Sequence, residues 1–540
     1  MERTNDKEAS RQLCEKAYRL FDEFRSAYRQ EWLRLENNER IYRGDHWYDV
    51  PVTDEHEPRP VTPIIQSTVE NVSADLMDQV PEAHIRPECG ADSHVAQVVE
   101  AVIRRNHDVA GYPVEYQKLV HDLLVGGYCV QEVGYDPSLN SGLGGAFIRH
   151  VDDRSILFDP LCDDMQEGRA VFKLSLRTRE WFKDRFPEKY PLMGEDPYAA
   201  NDAPADDIVR GDRRDSVLLL EYWWKTPTER EGVFAVHMAL IAGGVVLADS
   251  REIKPQGYFA HGMYPFVLTP LYTRKGSALG FGIVDLFEKQ QRYADKLDQI
   301  VLKNAFMASH NKLLVTEASG FDEEDLKDWS KEVHRGESLN GVTWFSTPPL
   351  PAYLLTYIQR IREDIKEESG ANDSSRGNFR QGVTAASAIQ ALQVASTKRA
   401  RMATAQLYEA FRQAVRMEIE VEREFNFYLR PVTVVVDGEE REEHFDSALL
   451  TRRDEGAEGL PMEFFISVKA AKQDPFSASA QNELIVQLLQ IGALDPKRAV
   501  ELMSFEGKDQ VLKKMKQSAA ASGSGTSPIS SARSGQLPRK

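Results

Sequence analysis

Between Phe281 and Arg430 the sequence reads as three long helices with no ordinary plan for packing a core. The first covers 283–309, where Ile283, Leu286, Phe287, Tyr293, Leu297, Ile300 and Val301 form an apolar stripe at helical spacing. A compact insert follows: short strands at 313–316 and 343–345 flank a helix at 323–334, and Pro348, Pro349 and Pro351 close it. The second helix, 352–369, carries Leu354, Ile358, Ile361 and Ile365 at steps of four, three and four. Residues 370–384 (GANDSSRGNFRQGVT) are too polar and glycine-rich for anything but a loop. The third helix starts near Ala385 and runs toward Leu429 before Pro431, with Leu407, Phe411, Ala414, Met417, Val421 and Phe425 on its apolar face. Straight, it would extend on the order of 65 Å at 1.5 Å per residue, so a kink or bend is expected. Helices joined in this way suit one sector of a ring around a hole better than an enzyme around a pocket.

Composition narrows the class. At 540 residues the chain is too long for one typical core, so two to four domains or a large interleaved subunit is expected. An apolar fraction of 41% with 28% charged residues is that of a soluble globular protein. There is no uninterrupted apolar run of about 18 residues, which argues against a membrane-spanning helix. The start, MERTNDKEASRQ, has no apolar core of a secretory signal. Cys14, Cys89, Cys129 and Cys162 are scattered without a close pair, as reduced thiols are, which argues against zinc or a disulfide framework. The net charge is −18. Proteins that grip DNA carry a basic footprint, because phosphate neutralisation supplies most of the affinity. An acidic chain that meets DNA is therefore expected to let it slide.

Upstream, 10–43 reads as an amphipathic helix with Leu13, Ala17, Leu20, Phe21, Phe24, Tyr28, Trp32 and Leu35 on one face. It stops at Gly44 within Tyr42-Arg43-Gly44-Asp45-His46-Trp47. Pro51, Pro58, Pro60 and Pro63 then enforce an extended connector. Helices are expected at 64–79, 95–109 and 114–124. Strands are expected at 128–135, 147–151, 170–176, 217–225, 234–241, 245–248 and 266–270, the fourth being the β-rich VLLLEYWWK. Residues 195–214 read as a surface loop. Beyond the long helices, strands at 432–436 and 464–468 surround a turn at Asp437-Gly438. Small helices are expected at 479–491, 496–504 and 508–516. The tail from Ser518, without acidic or aromatic residues, is expected to be disordered. No fixed-period repeat stands out.

Catalytic motifs are lacking. A nucleotide motor needs a phosphate cradle GxxxxGK[ST]. The nearest stretch, Lys275-Gly276-Ser277-Ala278-Leu279-Gly280-Phe281-Gly282, has its lysine before the glycines and reads as a turn leading into a helix. His84, His94, His107 and His121 are 10, 13 and 14 residues apart, not the i, i+4 pair of a zinc helix. Asp152-Asp153 and Asp163-Asp164 flank SILFDP and read as acidic turns rather than a cation site. No catalytic residue, metal site or cofactor is assigned.

The polar loop carries Asn372, Asp373, Arg376, Asn378, Arg380 and Gln381. It is either a plain helix connection or a loop projecting into a channel, where arginines touch phosphates without reading bases. Lys398, Arg399 and Arg401, early in the third helix, either extend that weak contact or are solvated.

The order of parts resembles the portal proteins of tailed double-stranded DNA phages, closest to the type of short-tailed phages. The stretches that carry the likeness are YRGDHW, TPIIQSTVENVSADLMDQVPEAHIRPE, LVHDLLVGGYCVQEVGYD and GNFRQGVTAASAIQALQVASTKRARM, within about 20–516. The resemblance implies an α+β portal fold assembling into a ring around a central channel. Residues 1–280 would be N-terminal helices and mixed α/β wing, 281–309 and 352–370 stem helices, and 310–351 a clip. Residues 371–384 would be the tunnel loop, 385–430 a long kinked helix, 431–471 a β return to the wing, 472–517 a short helical crown and 518–540 a disordered tail. It implies a non-enzymatic channel at one capsid vertex through which viral DNA is packaged and ejected, probed by the loop residues named above. The implied partners are copies of itself, twelve in the virion, the terminase large subunit, later the tail adaptor proteins, the major capsid and scaffolding proteins, and double-stranded DNA without sequence preference, with no membrane. The implied location is the virion, after assembly in the host cytoplasm. The competing reading is another structural virion component, such as a tail adaptor.

Overall fold

The computed structural model describes residues 2–52, 57–88, 93–195, 198, 216–229, 232–309, 312–328, 330–337, 339–345, 350–369, 398–426, 428–436, 439–451, 461–470, 475–492, 494–503 and 511. The chain divides into two compact units, 1–469 and 470–540. The second contains helices α11 (Pro475–Gln490) and α12 (Pro496–Leu502), which pack on each other and bury Ile485 and Ala499. Everything else described here belongs to the first.

Helix α1 (Glu2–Tyr42) buries the stripe its sequence announces, from Leu13 to Leu35, while Trp32 stays half-buried. Its partner is a five-stranded antiparallel sheet ordered β4 (Ile156–Phe158), β5 (Ala170–Thr178), β6 (Ser216–Pro227), β7 (Phe234–Ala242), β8 (Val245–Asp249). Phe21 and Phe24 each meet Phe172 edge-on at 5.7 Å, and Phe172 stacks on Tyr222 at 5.0 Å. Such pairs add about 0.5–1.5 kcal/mol each beyond the area they bury. On the other face, Trp223 stacks on Phe259 and meets Phe266, while Phe182 of the short helix Arg179–Arg185 packs on Val217 and Leu219. The central strand β6 is thus buried on both faces, which its near-continuous apolar run requires.

A second antiparallel sheet has the order β3 (Gly145–Val151), β2 (Tyr128–Asp136), β9 (Phe266–Pro270). It packs beneath α3 (Ser93–Ala110), α4 (Tyr112–Val125) and α10 (Lys398–Phe425). The outer edge of β3 is blocked by carboxylates: Ala146 N–H donates to Glu422 Oε1 at 2.8 Å and His150 N–H to Glu115 Oε2 at 2.9 Å. An edge strand closed by inward carboxylates cannot template a further strand.

Several elements differ from the sequence reading. The 275–282 glycine stretch is a hairpin, β10 (Tyr272–Arg274) with β11 (Ser277–Phe281), turning at Lys275–Gly276. Residues 81–87 form β1 (Pro81–Pro87), paired with β16 (Phe464–Ala470), although two prolines bound it. The polar run EEREEHF is β15 (Glu439–Phe445), which pairs with β14 (Arg430–Val436). A two-stranded ribbon with a solvated face needs no apolar alternation. The helix expected at 323–334 is only α8 (Glu323–Lys327). The third long helix stops at Phe425, short of Leu429, because Arg430 opens β14 and turns back into the core ahead of Pro431, which cannot continue a helix. Its expected beginning at 385–397 lies outside the described residues, as do Cys89, the 508–516 helix except residue 511, and the tail.

Candidate functional site

Helix α7 (Ile283–Ser309) is embedded for half its length. Its buried residues are Ile283, Val284, Phe287, Gln291, Ala294 and Asp295, so polar groups are sunk into the apolar side and each needs a partner. Asp285 supplies the first lock: it accepts from the Gly282 N–H at 2.7 Å, closing the helix start, and from Asn38 Nδ2 at 3.0 Å. Arg34 bridges Asp285, Glu31 and the Gly126 carbonyl. Burial works against its charge, but Glu31 and Asp285 outweigh that and hold the guanidinium above its ordinary range.

Gln291 is the second lock. Its Oε1 accepts from the N–H groups of Ile64 and Ile65 at 3.1 and 3.2 Å, capping α2 (Ile64–Met77), whose own N-cap, Pro63, offers no side-chain acceptor. Its Nε2 donates to the Thr62 carbonyl and to Asp295. Asp295 lies 2.6 Å from His46 Nδ1 and accepts from Thr62 N–H at 3.2 Å. Arg292 holds Asp49, Glu288 and Asn37. The YRGDHW turn and the proline connector therefore fold around one side of α7 and fix its direction.

Beyond Asp298, α7 leaves the core: Ile300, Leu302, Phe306 and Met307 are exposed. The chain returns along α9 (Tyr353–Ser369), which exposes Tyr353, Leu355 and Tyr357 and buries Ile358, Ile361 and Ile365. Arg362 pairs with Asp298 at 2.9 Å and links the two helices. Between them lies the antiparallel hairpin β12 (Lys312–Val315) and β13 (Val342–Phe345), with Leu314 and Trp344 exposed. The apolar stripe expected along α7 is thus two rows: Ile283 and Phe287 are buried, whereas Leu286, Tyr293 and Ile300 face outward.

The six loop residues Asn372, Asp373, Arg376, Asn378, Arg380 and Gln381 lie outside the described residues. Lys398 and Arg399 are in the first turn of α10, and Arg401 is exposed on that helix. The far end of α10 is anchored by a buried cluster. Glu418 and Glu422 are 0% and 1% exposed; His107 lies 2.8 Å from Glu418, Asn106 Nδ2 donates to Glu422 at 2.7 Å, and Arg430 forms an ion pair with Glu422. Burial raises the Glu422 carboxyl above the usual carboxylate range despite Arg430, Ala146 N–H and Asn106.

The other candidate groups do not converge. His84, His94, His107 and His121 face four different carboxylates, Glu100, Glu443, Glu418 and Glu39. Burial disfavours the His121 imidazolium, yet the hydrogen bond and charge of Glu39 hold its pKa above the usual histidine value. Asp152 and Asp164 each cap a turn, accepting from the N–H two residues on. Asp153 is pushed well above the carboxylate range by burial, with Asp122 and Asp152 nearby. Among the described residues no group of three or more His, Cys, Asp or Glu has the arrangement of a metal site, and no helix is long and apolar enough to cross a membrane. Sequence reading missed the locks Asp285, Gln291, Asp295 and Glu422; for three the available signal was helical spacing from apolar residues, Gln291 four after Phe287, Asp295 eleven after Val284 and Glu422 three after Ile419, whereas Asp285 offered none.

A mixed α+β body that fixes one helix with buried polar locks and sends its apolar end into solvent is the build of an assembling structural subunit. The chain belongs to the family of phage P22-like portal proteins, whose family model matches residues 18–528. A comparison with curated proteins gives no match. It is accordingly a bacteriophage virion component with a portal function at the capsid vertex in DNA packaging, in a family of structural proteins that form homo-oligomeric rings and contact capsid and terminase.

Proposed function

We propose that twelve copies close into a ring whose axial pore conducts double-stranded DNA during packaging and ejection. In this reading the body, 1–280 with 431–471, is the wing; 281–309 and 352–370 are the stem; 310–351 is the clip; 371–384 is the tunnel loop; and 472–517 is a short crown. The clip is where the terminase large subunit docks and tail adaptor proteins later replace it, while the wing meets capsid and scaffolding protein; assembly takes place in the host cytoplasm. The observation that carries this reading is α7, rooted by Asp285, Gln291 and Asp295 and exposing Ile300, Leu302, Phe306 and Met307 toward its end. A lone subunit gains nothing from such a projection; neighbours that cover it would. The charge of −18 per copy supports a strongly acidic ring through which a polyanion passes without sticking.

Electron microscopy and native mass spectrometry of the purified protein test this. The expected result is a twelve-fold ring of 61.2 kDa subunits with a central opening. Only compact single particles at high concentration would end the reading. Within the ring, Arg376→Ala with Arg380→Ala is expected to leave assembly intact and to alter DNA retention or packaging, since this reading gives the loop a role toward phosphates and none in joining subunits. Loss of assembly would instead make the loop structural.

A further inference from the structure

We propose that neighbouring subunits are joined along their projecting helices, an exposed row on α7 of one copy lying against the exposed face of α9 on the next. The inference rests on the ring reading above and names the surface that closes it. Leu286, Tyr293, Ile300 and Met307 recur every seven residues on α7 and are 43, 61, 48 and 42% exposed. Lys289, Lys296 and Lys303 fill the positions three residues further on, and all three are exposed. Steps of three and four place the seven side chains on one side of the helix, an apolar row with a lysine row beside it.

The matching face is on α9. Tyr353 and Tyr357 are exposed at its outer end, and Glu363, Asp364, Glu367 and Glu368 toward its root. Its own contact with the body uses Ile358, Ile361 and Ile365 instead. The Arg362–Asp298 pair sets the heights of the two helices. Counting outward from it, Met307 is level with Tyr353; counting toward the root, Lys296 is level with Asp364. Copies related by rotation about a common axis along the stem bring equal heights together. Met307 then meets Tyr353, and Ile300, level with Arg360, lies one turn from Tyr357. Lys296 meets Asp364, which Arg360 already pairs with at 3.7 Å in its own helix, and Lys289 lies about 4.5 Å past Glu368 along the axis, a distance that lysine and glutamate side chains bridge. Lys303 is already held by Glu57 of its own subunit at 3.2 Å.

A lysine row facing the pore, touching DNA phosphates, is the rival use of this surface. The four apolar side chains interleaved with the lysines favour protein, since against a solvated polyanion they would stay in water.

Charge exchange in the full-length protein separates the outcomes. K289E with K296E, and separately E363K with E367K, are each expected to reduce the ring fraction about tenfold by setting like charges across every junction. Combining all four changes in one chain, or mixing the two double variants, is expected to restore rings, in the mixture with alternating subunits. Rings that persist in both double variants overturn the interface while leaving the ring intact, and so does rescue that fails. Normal rings from K289E/K296E with altered DNA retention assign the row to the channel and overturn it too. Absence of rings in the unaltered protein strikes the ring reading itself, a separate result.

Discussion

Glu422→Ala lowers the stability of the body by about 3–5 kcal/mol, the cost expected when one partner of a buried ion pair is removed. Arg430 is 4% exposed; its remaining hydrogen bonds go to the Gly144 carbonyl at 2.9 Å and Asn106 Oδ1 at 3.4 Å, and its guanidinium lies 5.2 Å from the Phe445 ring, so its charge would be left without a carboxylate partner in the core. The same change orphans Ala146 N–H on the edge of β3 and one hydrogen bond of Asn106. Glu422→Gln keeps the shape and one acceptor oxygen and is expected to lose less. An internal control lies on the same helix: Glu409 pairs with Arg412 in solvent, 64% and 43% exposed, and Glu409→Ala should move stability by no more than about 0.5 kcal/mol. Calorimetric unfolding of the three variants beside the parent measures the ordering. Equal, small shifts for Glu422→Ala and Glu409→Ala would show that the cluster opens to water.

The residues involved explain how far the sequence can be read. Where burial is apolar and one-sided the pattern is plain: Leu13 to Leu35 announce α1, and Leu407 to Val421 announce α10. The strands of the large sheet are equally legible, because VLLLEYWWK has nowhere to go but between two covered faces. Legibility fails where tertiary partners override local pattern. EEREEHF becomes a strand only because β14 offers a ladder, and PEAHIRP only because β16 does. Gln291 and Asp295 fall at helical spacing from Phe287 and Val284, yet nothing local supplies their partners; His46, Thr62 and the start of α2 do so only once folded around them. The family likeness was legible because the order of segments survives degenerate sequence, whereas α7's outward row was absorbed into a single stripe because helical spacing alone does not say which neighbour covers it.

Gly127→Ala is expected to be more damaging than its size suggests, because Gly127 sits against the start of α7. Gly127 has φ +90°, and a Cβ there would fall 2.3 Å from the Phe281 carbonyl carbon and 2.4 Å from Gly282 N. The approach is mutual: a Cβ on Gly280 would meet the Gly127 carbonyl oxygen at 2.3 Å, and one on Gly282 the Leu124 carbonyl oxygen at 2.6 Å. Three glycines from LLVGGY and SALGFG thus let the turn after α4 press directly on the start of α7, and Leu271 N–H reaches the Gly127 carbonyl at 2.9 Å. These contacts are backbone atoms, which cannot swing aside as a side chain does, so the two segments must part. Gly276, at φ +74° in the β10–β11 turn with no atom within 4 Å of its would-be Cβ, separates the two costs. Gly276→Ala carries only the left-handed backbone penalty, about 1–2 kcal/mol, whereas Gly127→Ala adds overpacking of about 1–3 kcal/mol or more. Because the displaced element is the root of α7, ring yield is expected to fall along with the unfolding midpoint in Gly127→Ala and to hold in Gly276→Ala. Parallel melting curves and native mass spectra decide it: two variants that behave alike would mean that the glycine crossing does not set the direction of α7.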